Sequence, residues 1–262
     1  TTTATSNIGL GANAVDSITT GDYNVGLGDD SGTAITSGQK NTLIGDGAGT
    51  AITTGQSNTA VGHDSLKTLV TGNDVVAIGK GALALYTGSN VVAVGRNALT
   101  LNTTGAANTA IGYSVLGATT TGANNTALGY YALLNNTTAS NNTAMGFEAL
   151  KANTTGAENV AVGYQTLDAN TTGSSNTAIG RTSMTANTTA SNNTAIGRFS
   201  LGTNTTGSEN TALGRSALMS NTTAIDNTAV GYNSLNTNST GAQNVAVGRS
   251  ALTANTTGAY NT

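Results

Sequence analysis

The chain has 262 residues and a net charge of −3, with only 8% charged and 4% aromatic residues and no proline, cysteine or tryptophan. Typical globular domains carry roughly 25% charged residues around a large apolar core, so this composition excludes an ordinary globular fold. The small net charge implies no polyanion partner for the chain as a whole, nucleic acid included, and the lack of cysteine excludes a disulfide framework and thiolate metal sites.

Membrane insertion of this segment is not expected. No apolar stretch approaches the ~20 residues that span a bilayer, and no signal peptide begins at Thr1. The aliphatic residues recur at a fixed phase instead of being scattered, which argues against disorder. Because the chain begins and ends inside a repeat, we expect it to be a segment of a longer protein.

A five-residue motif, Asn-Thr-Ala-aliphatic-Gly, recurs from one end of the chain to the other. Its closing glycines are Gly11, Gly28, Gly45, Gly62, Gly79, Gly95, Gly112, Gly129, Gly146, Gly163, Gly180, Gly197, Gly214, Gly231 and Gly248. Successive glycines are 17 residues apart, except Gly79 and Gly95, which are 16 apart. A period this strict indicates about fifteen tandem copies of one structural unit, whose positions we number one to seventeen from the Asn.

Positions two to four of each repeat predict a short β-strand. Position four is always aliphatic, position two is Thr, Val or Ile, and position three is Ala in most repeats. This alternation, enriched in β-branched residues, is typical of a strand. We therefore expect positions two and four to face the core and the small position three to face outward.

Position nine holds the second apolar residue of the repeat, which is Leu in most copies from Leu66 onward. A second strand over positions eight to eleven would place this leucine inside the core. Position fifteen is usually glycine, as at Gly105, Gly156 and Gly207, and follows a polar Asn-Thr-Thr run, which predicts a turn with positive φ. One coil is thus predicted as strand, glycine corner, strand and polar turn.

The length of the repeat selects the architecture. A helix–helix repeat needs roughly 34 to 47 residues and a propeller blade about 40, whereas a 17-residue unit fits one coil of a β-solenoid. We predict an all-β fold, a parallel β-solenoid or β-roll of about fifteen coils. At ~4.8 Å per coil, such a stack is a rod roughly 70 Å long.

Three regions follow one another along the predicted solenoid. In residues 1–74 the core varies, with Ile18, Ile35 and Ile52 at position twelve and with Gly32 and Gly49 at position nine. Residues 75–107 are transition coils that include the 16-residue coil, and residues 108–262 are regular coils with Asn at position twelve in most copies. We expect a different cross-section near the N-terminal end, with the one-residue deletion marking the join.

Asparagine at positions one and twelve is predicted to form ladders, in which each carboxamide bonds to the coils above and below it. The position-one ladder of the regular coils comprises Asn108, Asn125, Asn142, Asn159, Asn176, Asn193, Asn210, Asn227 and Asn244. Asn-Thr-Thr also matches the N-glycosylation acceptor pattern at Asn102 and Asn153. We interpret that match as a by-product of the repeat and expect no glycans there.

A thin coil suggests self-association. Positions two, four and nine offer little apolar burial against the entropy of ordering 17 residues. An outward column of alanines at position three would make a close-approach stripe for another copy of the chain. We expect a homo-oligomer, with a homotrimer as the simplest closed arrangement of parallel fibrous subunits.

The pattern Thr-Thr-Gly-x-x-Asn-Thr-Ala-Ile-Gly, as in Thr171 to Gly180, resembles the head repeats of YadA-like trimeric autotransporter adhesins. It resembles still more closely the Asn-Thr-Ala-Ile-Gly arrays of proteins that carry a phage-type tail-fibre chaperone domain. The resemblance covers essentially the whole chain and implies a left-handed β-roll, assembled as a trimer in an extracellular, cell-surface or virion fibre. The 17-residue period differs from the shorter adhesin repeat, and no chaperone domain is present in this segment.

No catalytic, metal or cofactor site is predicted. The one histidine, His63, lies at position six, where Lys80 and Arg96 stand in later repeats, so we interpret it as a surface residue. Asp29 and Asp46 belong to the same corner and lack the glycine-rich nonapeptide of calcium-binding β-rolls. We therefore expect a protein that is not an enzyme.

Position six is a variable position and the best candidate for surface contact. In the regular coils it is filled by Tyr113, Tyr130, Phe147, Tyr164, Arg181, Arg198, Arg215, Tyr232 and Arg249. At ~4.8 Å spacing the aromatic rings would stack, and consecutive arginines would repel one another unless acids such as Glu158, Glu209 or Asp168 offset their charge. One interpretation is a structural ladder that covers the corner, and the other is a strip for a surface glycan or polyanion.

The sequence thus predicts a non-enzymatic, repetitive fibre or adhesin segment that forms a rigid extracellular or virion shaft. Its expected partners are further copies of itself, cell-surface glycans and other fibre proteins. The alternative is an ice-binding β-solenoid that uses threonine ladders at positions thirteen and fourteen, such as Thr154-Thr155 and Thr171-Thr172. Against it, Asn-Thr-Thr-Gly is typical of a turn and no Thr-x-Thr strand face recurs.

Overall fold

The computed structural model describes residues 4–262, in which every regular element is a three-residue β-strand and no helix occurs. The chain divides into two compact units, residues 1–128 and residues 129–262. The strands of the first unit are β1 (Ile8–Leu10), β2 (Val25–Leu27), β3 (Thr42–Ile44), β4 (Thr59–Val61), β5 (Val76–Ile78), β6 (Val92–Val94), β7 (Thr109–Ile111) and β8 (Thr126–Leu128). Those of the second are β9 (Thr143–Met145), β10 (Val160–Val162), β11 (Thr177–Ile179), β12 (Thr194–Ile196), β13 (Thr211–Leu213), β14 (Thr228–Val230) and β15 (Val245–Val247).

Within each unit, every strand pairs in parallel with the strand of the next coil. The register is one repeat, so that Thr177 lies beside Thr194 and Ala178 beside Ala195. The 16-residue step is absorbed without loss of pairing, because Val76 lies beside Val92. The prediction of an all-β parallel solenoid with a 17-residue repeat is confirmed. We call the residues that share one repeat position within a unit a column.

The predicted orientation of the strands is wrong. The middle residue of the strand, column three, is buried, as at Ala178 and Ala195, whereas Ile179 and Ile196 in column four are exposed. The interior beside the strand therefore accepts only a methyl group in the regular coils. The aliphatic residues of column four, predicted to form the core, lie on the surface of the single chain.

The predicted second strand is also wrong, since positions six to eleven form consecutive turns. Column nine nonetheless supplies the core: Leu150, Leu167 and Leu201 are fully buried. They reach it from a left-handed backbone, with φ of 55° at Leu167. This conformation costs a non-glycine residue about 1–2 kcal/mol, which the roughly 1.5–3 kcal/mol from burying a leucine side chain offsets.

Hydrogen bonds between coils continue through the turns. The main-chain N–H of Leu167 donates to the carbonyl of Ser183 at 3.0 Å, and that of Thr171 to the carbonyl of Thr188 at 2.8 Å. The buried main chain therefore finds partners well beyond the three-residue strands, which avoids the free-energy cost of leaving a buried polar group unpaired. This explains how so little regular strand can hold a coil.

The asparagines of column one form the expected ladder within each unit. Oδ1 of Asn142 accepts hydrogen bonds from the main-chain N–H of Asn159 at 2.9 Å and from its Nδ2 at 3.2 Å. The same Nδ2 donates to the carbonyl of Gly173 at 2.9 Å. In the regular coils, Asn170 of column twelve donates to that carbonyl as well, also at 2.9 Å. The ladders of columns one and twelve therefore both donate hydrogen bonds to the main-chain carbonyls of column fifteen.

The glycines of column fifteen are not in the left-handed region, contrary to the prediction for Gly105, Gly156 and Gly207. They lie instead against the carbonyl of the next coil, where a Cβ would collide with it. Positive φ occurs at the motif glycine of column five. Gly180 has φ of +125°, and a Cβ there would lie 2.8 Å from the carbonyl carbon of Gly197. Column five therefore requires glycine for its backbone angle and its close approach to the next coil.

The variant coils of the first unit fill their core from a different position. Gly32 and Gly49 stand where the regular coils have leucine, and Leu43 is the one large residue in column three. A Cβ added at Gly49 would lie 2.7 Å from Cδ2 of Leu43, and one at Gly32 would lie 2.6 Å from Cδ1. Leu43 therefore occupies, from the strand, the space that column-nine leucines fill from the turn.

Tyr86 closes the shortened coil. It stands at position twelve and is fully buried, and its hydroxyl donates to the carbonyl of Ser89 at 2.7 Å. In the next coil Asn102 makes the corresponding bond, from Nδ2 to the carbonyl of Gly105 at 2.8 Å. Burial raises the pKa of Tyr86 to about 12, although the hydrogen bond to Ser89 opposes the shift.

Candidate functional site

The outward face of the strands, which we call the strand face, consists of columns two and four. Column two is Thr or a β-branched aliphatic residue, and column four is always aliphatic. Away from the ends of the chain, the exposed column-four side chains range from 37% exposure at Ile179 to 41% at Leu128, whereas Leu27 and Leu213 are half-buried. No charged residue occurs in either column.

This face replaces the one predicted for self-association. The alanines of column three were expected to meet a neighbouring chain, but they are buried inside their own coil. An apolar stripe is present instead in column four, the next position along the strand, and its side chains are larger than the alanines that were predicted to form it. Contiguous apolar patches of this kind are rare on soluble monomers and mark sites of association.

Column six borders the strand face, beyond the motif glycine. In the second unit it begins with three aromatic residues whose rings stack: Tyr130 on Phe147 with centroids 5.5 Å apart and planes 5° apart, and Phe147 on Tyr164 at 5.3 Å and 9°. The three side chains are 39–45% exposed. Stacking at the spacing of the coils agrees with the expectation from the repeat.

The stack changes how these aromatic residues meet a ligand. Their ring faces are turned toward one another, so Phe147 has a neighbouring ring on both faces. Sugars bind aromatic side chains by lying on the ring face, which the stack occupies. In the middle of this aromatic section, Phe147 therefore offers its ring edge, and neither of its ring faces is available to a sugar.

The arginines of column six continue the stack. The guanidinium of Arg181 lies 5.6 Å from the ring centroid of Tyr164, and Tyr232 has Arg215 at 5.7 Å and Arg249 at 5.6 Å. Arg198 lies over Phe199 of column seven, at 4.5 Å. Contacts within about 6 Å of a ring centroid are attractive cation–π interactions. In the first unit, Arg96 stands over Tyr113 in the same way, at 5.9 Å.

The acids proposed to offset these arginines do not do so. Glu158 accepts a hydrogen bond from Ser175, and Asp168 accepts one from Thr185. Burial raises the pKa of Asp168, and the hydrogen bond and charge of Asp226 raise that of Glu209. Within the described part of the chain, no carboxylate lies at ion-pair distance from Arg181, Arg198, Arg215 or Arg249. Stacking on rings is what accommodates the consecutive arginines.

The threonine columns considered for ice binding differ from each other. Column-thirteen hydroxyls are engaged, since Thr154 Oγ1 donates to the carbonyl of Thr171 at 3.0 Å and Thr171 Oγ1 to that of Thr188 at 3.1 Å. The column-fourteen residues Thr155 and Thr172 are exposed. The polar turn therefore presents one free threonine column, whereas column two presents threonines on the strand face.

The remaining ionisable residues form small surface clusters. His63 Nε2 lies 3.5 Å from Asp46 and its Nδ1 lies 3.4 Å from Asp64, which also pairs with Lys67 at 3.0 Å. The hydrogen bond from Lys151 is the largest cause of a lowered pKa at Glu148. Residues 4–262 contain no pocket and no cluster of three or more metal-ligating side chains.

Comparison of the chain with protein-family models, with curated proteins and with solved structures gives no match. The described residues contain no helix with the length and hydropathy needed to span a bilayer. The asparagine ladders are buried, whereas the strand face and column six are surfaces that a partner can meet.

Proposed function

We propose that this chain is a segment of a non-enzymatic structural fibre that assembles from several copies of itself, outside the cell or on a virion. The observation that carries the proposal is the strand face, an uncharged stripe of exposed and half-buried aliphatic residues and threonines repeated coil after coil. Burying it against other copies adds the apolar contacts that each thin coil lacks. A homotrimer is the simplest closed arrangement of parallel subunits.

The regularity of the strand face favours a copy of the chain over an unrelated partner. A second solenoid has the same coil spacing, so its side chains meet the first at every coil in one register. Association is then the sum of many small equal contacts, and its strength grows with the number of coils. A rigid shaft is the mechanical result of such a stack.

Column six gives the shaft a surface for contact. In the second unit it is exposed, it borders the strand face, and it holds only aromatic residues and arginine. An exposed column of aromatic and cationic side chains is consistent with a surface that meets ligands, and surface glycans are the proposed class. The fibre thus combines a repetitive scaffold with one strip of aromatic and basic side chains.

Ice binding is the second candidate, and the strand face is the observation that favours it. Threonine and aliphatic residues stand side by side there, as at Thr177 and Ile179, with no charge among them. Such a face, left uncovered, could order water in a regular array. Because self-association covers the same face, the two functions exclude each other on one surface.

The mass of the chain in solution tests the proposal. Light scattering across a range of concentrations is expected to give a multiple of the 25.7 kDa chain mass, with the trimer as the predicted species. The variant I179D/I196D places two charges on the strand face and is expected to be monomeric, whereas T172D/T189D, in the exposed column fourteen, leaves the assembly intact. A stable monomer with thermal hysteresis would contradict the fibre and favour ice binding.

A further inference from the structure

The charge of the chain is distributed unevenly, which its net charge of −3 conceals. In residues 170–262 the basic residues are Arg181, Arg198, Arg215 and Arg249, and the acidic residues are Glu209 and Asp226. Four positive charges against two negative ones leave this stretch at +2. The whole-chain argument against a polyanion partner therefore does not hold for these coils.

All four arginines stand in one column. Arg181, Arg198 and Arg215 occupy consecutive coils, and Arg249 follows after Tyr232. All four are exposed. With parallel strands ~4.8 Å apart, the first three form a row of positive charge that advances one guanidinium per coil along the stack.

The two acids do not neutralise this row. Glu209 and Asp226 stand in column seventeen, so the strand of each coil separates them from the arginine of that coil. Each lies near the other, and the carboxyl group of Asp226 raises the pKa of Glu209. The arginine side chains make no ion pair within the described residues.

Stacking holds the arginines ready for a ligand. Arg181, Arg215 and Arg249 each lie over the ring of Tyr164 or Tyr232. A guanidinium held near a ring by a cation–π contact still carries five N–H donors, and these match the paired oxygens of a sulfate, phosphate or carboxylate group. The rings thereby limit the loss of side-chain freedom on binding.

We infer that Arg181, Arg198, Arg215 and Arg249 form a docking strip for an extended anionic polysaccharide, with its sulfate, phosphate or carboxylate groups against successive guanidinium groups. This inference rests on the proposed contact role of column six and specifies the ligand class. A linear polymer suits a row of equal spacing, and the covered ring face of Phe147 disfavours neutral sugars as the main ligand.

The test uses the whole 262-residue chain and dextran sulfate as the probe, with neutral dextran of equal length beside it. The variant R181S/R198S/R215S is expected to bind dextran sulfate about tenfold more weakly than the unmodified chain, because each exposed charge contact contributes a fraction of a kcal/mol. Binding is expected to weaken with salt in the unmodified chain and less steeply in the variant. Circular dichroism checks that the variant keeps its β-structure.

The matched control is K40S/K67S/K80S, which removes the same number of positive charges from the first unit and is expected to bind within about twofold of the unmodified chain. Equal binding by both triple variants, equal binding to neutral dextran, or a preference for single-stranded DNA over dextran sulfate would overturn the inference. A chain that attaches to cells or glycan arrays but not to dextran sulfate contradicts only the anionic class. A chain that attaches to neither contradicts the contact role of column six.

Discussion

The variant coils around Leu43 and the regular coils of the second unit solve the same packing problem in different ways. The regular coils bury an alanine from the strand and a leucine from the turn, as at Ala161 and Leu167. The coil of Leu43 reverses this order, with the leucine on the strand and Gly49 in the turn. In these coils one buried leucine fills the interior, from the strand at Leu43 and from the turn at Leu167.

The two regions also differ in how they satisfy the carbonyls of column fifteen. The carbonyl of Gly55 accepts one asparagine, Asn41 at 2.9 Å, because position twelve of that coil is Ile52. The carbonyl of Gly173 accepts both Asn159 and Asn170, each at 2.9 Å. The regular coils therefore carry a second donor at a place where the variant coils carry an aliphatic side chain.

The largest predicted effect breaks the asparagine ladder. Asn41→Ala removes the donor to Gly55 and the acceptor of the Asn58 main-chain N–H, and should cost about 4 kcal/mol of unfolding free energy, given about 1–3 kcal/mol for each buried group left unpaired. Asn159→Ala should cost about 1 kcal/mol less, since Asn170 still serves Gly173.

Urea unfolding of both asparagine variants measures the difference, with Thr172→Ala on the exposed turn as a control that changes little. Equal losses would show that the second asparagine column does not back up the first. A larger loss at Asn159 than at Asn41 would contradict the comparison outright.

The next effect tests whether the two leucine positions are interchangeable. Leu43→Ala should lose about 3 kcal/mol through a cavity, and Gly49→Leu should lose about 2 kcal/mol because the new side chain collides with Leu43. Together the two changes rebuild the regular pattern, since Gly49 already has φ of +58°, close to the 55° of Leu167.

The double variant should therefore recover most of the loss of either single variant in a thermal or urea melt. Additive losses would mean that Leu43 and column nine do not share one space. Leu167→Ala serves as the reference for a leucine removed from a regular coil with no glycine opposite it.

A smaller effect concerns the join at the 16-residue coil. Tyr86→Phe removes the hydrogen bond to Ser89 and should cost about 1.5 kcal/mol at neutral pH. The pKa of Tyr86 is raised from 10.0 to about 12, so its hydroxyl ionises in the unfolded chain before it does in the folded one. Stability from this group is complete below pH 10 and is lost as pH rises toward 12.

Tyr86→Phe should therefore lose less stability than the unmodified chain as pH rises from 10 to 12. Urea midpoints measured from neutral pH to pH 12 test this difference. The exposed Tyr164→Phe should shift stability at neutral pH by less than about 0.5 kcal/mol. Parallel pH profiles for the unmodified chain and Tyr86→Phe would contradict a buried, bonded hydroxyl.

The architecture was predictable because a strict period reports the coil directly. Strand position, parallel pairing and the asparagine ladder all follow from repetition, since like residues stack on like. The facing of the strand was not predictable by the ordinary rule, because a coil this narrow admits only a methyl group from the strand and takes its leucine from a left-handed turn. One signal was present: Leu43, the only large residue of column three, occurs where column nine is glycine.

The arrangement of column six was likewise predictable only in part. Its stacking could be predicted from the repeat, whereas the compensation of the arginines could not, because it comes from ring contacts such as Arg181 on Tyr164 instead of from nearby acids. The sequence did not predict the strand face because it did not predict which side of the strand points outward. Both depend on the width of the coil, which the period alone does not report.

The central claim is that the strand face joins copies of the chain, and single cysteines test it most directly because the natural sequence has none. A short bis-maleimide added to dilute Ile179→Cys, in column four, is expected to give covalent dimers. Thr189→Cys, exposed in column fourteen, is expected to remain a single chain under the same conditions. Cross-linking of Thr189→Cys equal to or above that of Ile179→Cys would contradict the account.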